Sequence, residues 1–245
     1  MKLFNGQPIE LTSRNLITSC IRAFVFFITF TFTFTDISIA QTAGWSFELH
    51  GGLPYNIPAP LIIKQKNEKT LHFNARYRSE PINSPYYWVW RISRFQNNKS
   101  WEFEAIHHKL YLDNMPPEVQ KFSISHGYNI FTINPSFNKL AFQKHSFILR
   151  LGAGVVLSHP ENIIRNKDLY PNGGLFGLGY YFTGPVLNIS VGKRFYINNR
   201  LFVNSEIKFS PSVSWVPIVD GHAIVWNLPV TFVLGLGIDF INEIN

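Results

Sequence analysis

After residue 40, apolar and polar side chains alternate along the chain with a period of two. In the segment 45–52, one face reads Trp, Phe, Leu and the other reads Ser, Glu, His. Successive side chains of a β-strand point to opposite faces, so this alternation predicts strands with one apolar and one polar face. No convincing helical repeat with a cap interrupts it. Strands are predicted around residues 45–52, 60–66, 70–78, 86–95, 101–112, 121–133, 146–157, 180–196, 201–213 and 223–240.

Strand length and the distribution of charge decide between a soluble sandwich and a membrane barrel. Strands such as 101–112 and 180–196 exceed the about 5–6 residues usual in soluble proteins. They reach the about 9–11 residues that a tilted transmembrane strand needs. The polar faces carry Glu and Arg opposite Phe, Leu, Ile, Trp and Tyr, and an outer-membrane barrel turns such apolar faces to lipid. We therefore predict an all-β fold, an antiparallel transmembrane up-and-down β-barrel.

The predicted barrel has ten strands, with eight as the alternative. Eight strands result if the barrel begins at Thr70, and ten result if the segments 45–52 and 60–66 also join it. Ten is preferred because 45–52 alternates too regularly for a tether.

The connection lengths predict which side of the membrane each end faces, because such barrels have short periplasmic turns and longer external loops. With a periplasmic C-terminus, 96–100 is a short periplasmic turn and 158–179 is a long external loop. Residues 134–145 would then form a periplasmic connection that is longer than this rule prefers.

Residues 1–40 have the order of a secretory signal. A basic N-terminal region precedes the apolar run 23–35, and small side chains at Ser38 and Ala40 occupy the −3 and −1 positions of a cleavage site. The apolar run is shorter than the about 20 residues that a membrane-spanning helix needs. We expect export, cleavage after Ala40, and one mature domain that comprises residues 41–245.

Composition and charge exclude several other classes of protein. Aromatic residues make up 16% of the 245-residue chain and charged residues 15%, with a single cysteine. The apolar load excludes a disordered chain, and the cysteine count excludes a disulfide scaffold. The net charge is +7, but the cations alternate with apolar residues instead of forming the basic patch that binds nucleic acid. Basic residues in external connections, such as Lys64, Arg165 and Lys167, are expected to meet anionic lipopolysaccharide.

The end of the last predicted strand is the basis of a family resemblance. The strand ends on Phe240, with Ile238 two residues before it and Gly235 five before it. This ending resembles the terminal-strand signal that the outer-membrane assembly machinery reads. Over residues 44–240 the chain resembles small outer-membrane β-barrel proteins of Gram-negative bacteria. The resemblance implies a cell outer-membrane location among outer-membrane lipids and lipopolysaccharide, assembly by that machinery, and a monomer.

Charged side chains on the polar faces are expected to meet inside the barrel. Small barrels commonly fill their interiors with side chains, so we predict an ion-pair network in the lumen. The network is assigned to Arg76, Arg91, Glu104, Arg150 and Glu206. Because removing one member of a buried pair leaves the other charge uncompensated, Glu104 and Arg150 are expected to matter for folding.

An alternative use of the polar side chains is acid–base catalysis. Ser125 and His126 point to opposite faces of a strand and could act together only with a bulge at Gly127. His159 and Glu161 offer two metal ligands with no third at a recognisable spacing, so we expect no metal or cofactor. The candidates for catalysis are Glu102, Glu104, His108 and His126.

Two families of outer-membrane barrel enzymes modify lipid A. The deacylase family uses a His-x-Ser pair, which does not occur in this sequence. The palmitoyltransferase family has an N-terminal amphipathic helix, which this sequence also lacks. The sequence therefore favours a non-catalytic barrel with a structural, small-solute or surface-interaction role. The alternative is a lipid-modifying enzyme of the deacylase-like or acyltransferase-like kind.

Overall fold

The computed structural model describes residues 43–142, 145–169 and 173–241. The predicted signal segment, 1–40, lies outside the described residues. The described residues include no helix with both the length and the apolar character needed to cross a membrane. Their strands are β1 (Ala43–Ile57), β2 (Ala59–Gln65), β3 (Leu71–Ala75), β4 (Tyr77–Arg78), β5 (Trp88–Gln96), β6 (Lys99–Leu112), β7 (Val119–Phe142), β8 (His145–Ser158), β9 (Glu161–Ile164), β10 (Lys167–Asp168), β11 (Tyr181–Tyr196), β12 (Leu201–Phe209), β13 (Ser212–Ile218) and β14 (Gly221–Ile241).

Long strands close a ring by antiparallel pairing. The order around the ring is β1, β5, β6, β7, β8, β11, β12 and β14, and β14 pairs with β1 to complete it. At this junction Trp45 lies opposite Phe240. The predicted all-β antiparallel barrel is confirmed.

Within the described ranges the ring holds eight strands, which differs from the preferred ten. The segment 45–52 belongs to the ring as β1, so the eight-strand alternative that begins at Thr70 omits one of its members. The segment 60–66 is not a further ring strand, because β2 continues the line of β1 past Pro58 and pairs with the same neighbour, β14. Proline has no N–H to donate and interrupts a strand. Strands β3 and β4 pair with β2 and β6.

Residues 134–145 do not form the long connection expected from the sequence. Instead β7 runs to Phe142 and β8 begins at His145, so the two strands form a hairpin. Their register shifts between Phe137 and Leu140. A bulge of this kind disturbs the alternation of faces, which explains why the sequence pattern lost the strand there.

The two ends of the barrel have different connections. At one end, which we call the turn end, the connections 97–98 and 197–200 are short. Asn97 has a φ of 54°, a conformation that Asn tolerates in a tight hairpin turn. At the opposite end, which we call the loop end, the connections 79–87 and 159–180 are longer, and β9 and β10 lie within the second of these.

Large apolar side chains cover the outside of the barrel. Leu187 is 56% exposed and Leu236 is 65% exposed. Ile238 and Phe240 of the predicted assembly signal share this outward face, whereas Gly235 lies opposite the inward His50. Further members of the outer belt are Trp45, Phe47, Leu49, Trp101, Phe103, Leu151, Ile189, Trp226 and Leu234. An apolar surface of this extent around a closed sheet is stable in hydrocarbon, so the barrel lies in a membrane.

Candidate functional site

Charged side chains from six strands meet inside the half of the barrel nearer the turn end. We call this set the charged cluster, and it comprises Glu48, Arg91, Glu102, Glu104, Arg150, Arg194, Glu206 and Lys208. These are four carboxylates and four cations, and a further buried carboxylate, Asp239, lies 3.8 Å from Arg194 at the margin of the cluster. Even its most exposed side chain, Arg194, is only 10% exposed. The cluster is therefore a buried network of ion pairs.

Arg91 lies at the centre of the charged cluster. Its Nη2 donates to Glu104 Oε2 at 2.5 Å and to Glu206 Oε2 at 2.9 Å. Its Nη1 donates to Glu48 Oε2 at 3.2 Å, and its Nε lies 3.3 Å from Glu102 Oε2. One guanidinium group thus contacts all four carboxylates of the cluster.

Strand register explains why these charges meet. Glu48, Arg91 and Glu104 lie directly opposite one another on the adjacent strands β1, β5 and β6. Side chains paired in this way on one face of a sheet lie close enough to interact. Arg150 and Lys208 reach the network from the opposite wall of the ring, where Arg150 Nε donates to Glu102 Oε2 at 2.7 Å and Lys208 Nζ donates to Glu104 Oε1 at 2.5 Å.

Arg194 is held by an aromatic ring as well as by charge. Its Nη2 donates to Glu48 Oε1 at 2.6 Å, and its guanidinium carbon lies 4.4 Å from the centroid of the Phe202 ring. Phe202 is fully buried, and a Cβ atom at Gly237 would collide with it. Glycine at position 237 therefore leaves room for the Phe202 ring, which packs against the guanidinium group of Arg194.

The structure brings together four of the five side chains assigned to the lumen network, Arg91, Glu104, Arg150 and Glu206. Arg76 does not join them. It lies exposed at the loop end between β3 and β4, where its backbone N–H donates to Asn114 Oδ1 at 2.7 Å. On these two strands the apolar face points inward, so the polar face that carries Arg76 points to solvent.

Sequence reasoning did not assign Glu48, Arg194 and Lys208 to the network. Each occupies the polar face of an alternating strand, which is the signal that could have identified it. The alternation gives the face of each strand but not its register, so it could not select partners.

The half of the barrel nearer the loop end is filled by apolar side chains, which we call the apolar core. Tyr128 is its largest fully buried member, and its hydroxyl lies 2.8 Å from Ser212 Oγ and 2.7 Å from Ser214 Oγ. Other members, each at most 4% exposed, include Leu61, Ile63, Val89, Ile106, Leu110, Leu112, Ile124, Ile130, Val156, Val216, Ile218 and Val225. The interior thus changes from charged to apolar along the barrel.

The candidates for catalysis lie in three different places. Glu102 and Glu104 belong to the charged cluster. His108 is buried beside the apolar core, where its Nε2 lies 3.0 Å from Asn56 Oδ1 and its ring packs edge-on against Tyr128. His126 lies at the loop end and is mostly exposed. The predicted acid–base constellation is therefore not assembled by the described residues.

His126 does have carboxylate and hydroxyl neighbours, because β7 contains a bulge at Gly127, without which Ser125 and His126 would point to opposite faces. Register between β6 and β7 shifts opposite residues 125–127, and Gly127 has a φ of 140°. Ser125 Oγ lies 3.4 Å from His126 Nδ1, which is also in close contact with Glu161 Oε1. A nucleophilic relay needs the hydroxyl and the carboxylate on different ring nitrogens, so this arrangement is not such a relay.

Loop-end residues hold two of the three cations that were expected to meet lipopolysaccharide. Arg165 Nη1 donates to Gln65 Oε1 at 2.6 Å, and Lys167 Nζ donates to Asp220 Oδ2 at 2.9 Å. These contacts tie the β9–β10 hairpin to β2 and to the turn between β13 and β14. Lys64 is exposed on β2.

The closed antiparallel ring, the apolar belt and the charged interior together define an outer-membrane β-barrel protein. No family model matches the chain, and no curated protein matches it. Among solved structures, the outer membrane protein AlkL is 12% identical over 86% of this chain and 96% of its own, with a TM-score of 0.49. OprG from Pseudomonas aeruginosa is 11% identical over 83% of this chain and 99% of its own, with a TM-score of 0.45. Neisserial surface protein A is 9% identical over 80% and 97%, with a TM-score of 0.40. This chain is similar to these proteins only in outline, so the architecture rests on the strand pairing described above.

Proposed function

We propose that this protein is a non-conducting outer-membrane barrel that carries a folded interaction surface at its loop end. The observation that supports this role is the filling of the interior in both halves. Arg91 and Glu104 in the charged cluster, and Leu110 and Ile124 in the apolar core, each have 0% of their surface exposed. A water-filled channel would leave such side chains accessible, as the polar lumen of a porin does.

The loop end has the contacts of a rigid surface. Arg165 and Lys167 link the β9–β10 hairpin to β2 and to the β13–β14 turn. Arg78 donates to Asp113 Oδ1 at 2.6 Å and so links β4 to the connection that follows β6. A surface that is ordered before it meets a partner binds with a smaller entropic cost.

The β2–β3 hairpin suggests the chemistry of the partner. Lys64, Lys66 and Lys69 are exposed on this hairpin, and clustered cations attract anionic groups. We therefore assign the phosphate-bearing headgroup of lipopolysaccharide to this surface. Changing all three lysines to Gln should weaken binding to lipopolysaccharide micelles and remove most of its salt dependence. Unchanged binding would refute this assignment.

Conductance measurements test whether the barrel is closed. Purified protein reconstituted in planar bilayers should give no stepwise conductance, whereas a general porin at the same protein-to-lipid ratio should give clear steps. Reproducible single-channel steps from the barrel would contradict the proposal.

Cysteine labelling tests which end faces outward. The single cysteine, Cys20, falls within the predicted signal segment, so the expected mature chain offers no competing thiol. A membrane-impermeant maleimide applied to intact cells should label Lys69→Cys at the loop end and leave the matched variant Asn198→Cys at the turn end unlabelled. The reverse pattern would place the interaction surface in the periplasm.

The lipid-modifying alternative makes a distinct prediction. An enzyme of that kind would change lipid A by one acyl chain, whereas the proposed role leaves the mass spectrum of lipid A the same in cells with and without the protein.

A further inference from the structure

His126, His159 and Glu161 come together at the loop end. One ligand atom from each lies within 4.8 Å of the other two. His126 lies on the bulge of β7, Glu161 begins β9, and His159 lies in the connection between β8 and β9. The pairing of Ser123 with Glu161 brings these segments side by side. His126, more than thirty positions earlier in the chain, therefore supplies the third ligand that the spacing around His159 and Glu161 did not reveal.

Neighbouring groups hold the three side chains in a manner suited to a ligand set. Lys121 Nζ donates to Glu161 Oε2 at 2.6 Å, and Oε1 lies against His126 and accepts from Ser125 Oγ at 3.2 Å. The Tyr180 ring packs edge-on against His159 at 4.9 Å between centroids, and its hydroxyl donates to the backbone oxygen of His126 at 3.2 Å. Metal ligands are commonly oriented by outer contacts of this kind.

The His159 ring provides an independent observation. Its Nδ1 is buried and makes no hydrogen bond within the described part of the chain. A buried polar atom without a partner is costly, and the cost is removed if a ligand occupies the space in front of it. Glu161 Oε1 and His126 Nδ1 also form a close contact that an ion between them would replace.

We propose that His126, His159 and Glu161 bind a divalent zinc ion at the loop end. Two imidazoles and one carboxylate are typical zinc ligands, and three protein ligands leave the fourth tetrahedral position to water. Bond lengths of about 2.0–2.2 Å place tetrahedral ligands about 3.4 Å apart, so the close contact between His126 Nδ1 and Glu161 Oε1 widens to admit the ion. The His126 side chain is 63% exposed and can make this adjustment. The ion ties β7 to the connection between β8 and β9.

Cobalt and zinc titration of the full-length folded protein, purified without a polyhistidine tag, tests this site. Co²⁺ should give the visible absorption of a tetrahedral nitrogen and oxygen site, and one equivalent of Zn²⁺ should abolish it. Calorimetry should give one zinc per chain, and saturating zinc should raise the Tm. His126→Gln, His159→Gln and Glu161→Gln should each lower the affinity at least tenfold and remove the zinc-dependent rise in Tm.

His72→Gln is the matched control, because His72 is an exposed histidine on β3 outside this group. It should bind zinc as the unchanged protein does. Heat-modifiable migration on gels checks that each variant is folded, and any one of the three ligand variants that folds is sufficient for the test. The proposal is overturned if zinc does not saturate at one equivalent, if a folded ligand variant keeps full affinity, or if His72→Gln loses as much affinity as the ligand variants.

Discussion

The two halves of the barrel interior differ in chemistry although the same strands build both. On β6 the inward series begins with Glu102 and Glu104 and continues with Ile106, His108, Leu110 and Leu112. The charged cluster lies where the outside of the barrel is apolar. The apolar core lies behind strands such as β3, whose outward side chains are polar and exposed.

On β3 and β4 this difference is the one expected if water lies outside, whereas on β13 and β14 the core residues Val216 and Val225 lie beside the exposed apolar side chains Trp215 and Trp226. Where lipid covers the outer face, the polar face of each strand must turn inward and its charges must pair. Where water covers the outer face, the apolar face turns inward as in a soluble protein. On β3 and β4 the polar face therefore points outward, the reverse of its direction in the charged cluster.

Arg91→Met should break the charged half with the largest effect. The substitution leaves four carboxylates facing three cations, and an uncompensated buried charge typically costs about 3–5 kcal/mol. Urea unfolding in lipid vesicles should show a strongly lowered midpoint. Lipid-facing Leu151→Ala is the control and should change the midpoint far less. A negligible shift for Arg91→Met would mean that water screens the cluster.

Leu110→Ala should break the apolar half by a somewhat smaller amount. Leu110 is fully buried, and truncating a buried leucine costs about 2–5 kcal/mol without leaving a charge unpaired. Leu187→Ala is the control, because it removes the same atoms from a leucine on the lipid-facing side. Equal midpoints for the two variants would show that the loop-end half is not packed as a core.

A charge-balanced double substitution sharpens the comparison. Glu104→Gln and Lys208→Met together remove one pair and leave the net charge of the cluster unchanged, so the double variant should be more stable than the sum of the single effects predicts. Coupling between contacting residues is typically about 0.5–3 kcal/mol. A double-mutant cycle measures it, and strict additivity would contradict a shared network.

The smallest effect is expected at an exposed ion pair of the loop end. The hydrogen bond from Arg78 lowers the pKa of Glu80, so the pair stabilises the fold above the usual carboxyl pKa of about 4.3 and the effect is lost as the pH falls below it. Glu80→Gln should cost about 0.2–1 kcal/mol at pH 7, because solvent screens the pair. The difference in unfolding midpoint from the unchanged protein should vanish in acid. A difference that grows in acid would reverse the assigned sign.

The sequence by itself determined the local features of this protein. Period-two alternation set the β-structure and the two faces of each strand, and it placed Arg91, Glu104, Arg150 and Glu206 on polar faces. The segment 96–100 marked a short turn. These features depend on side chains at most a few residues apart, so a local pattern is sufficient to predict them.

Tertiary structure decided the partners. Strand register aligned Glu48 with Arg91 and joined His126 to a distant connection, and alternation carries no information on register because any shift by two residues preserves the faces. The number of ring strands depended on the path of the chain at Pro58. Because β2 continues past Pro58 along β14, as β1 does, it adds no further strand to the ring. Tertiary structure also decided whether the polar face of a strand points inward or outward. This direction depends on whether lipid or water lies outside, and it excluded Arg76 from the charged cluster.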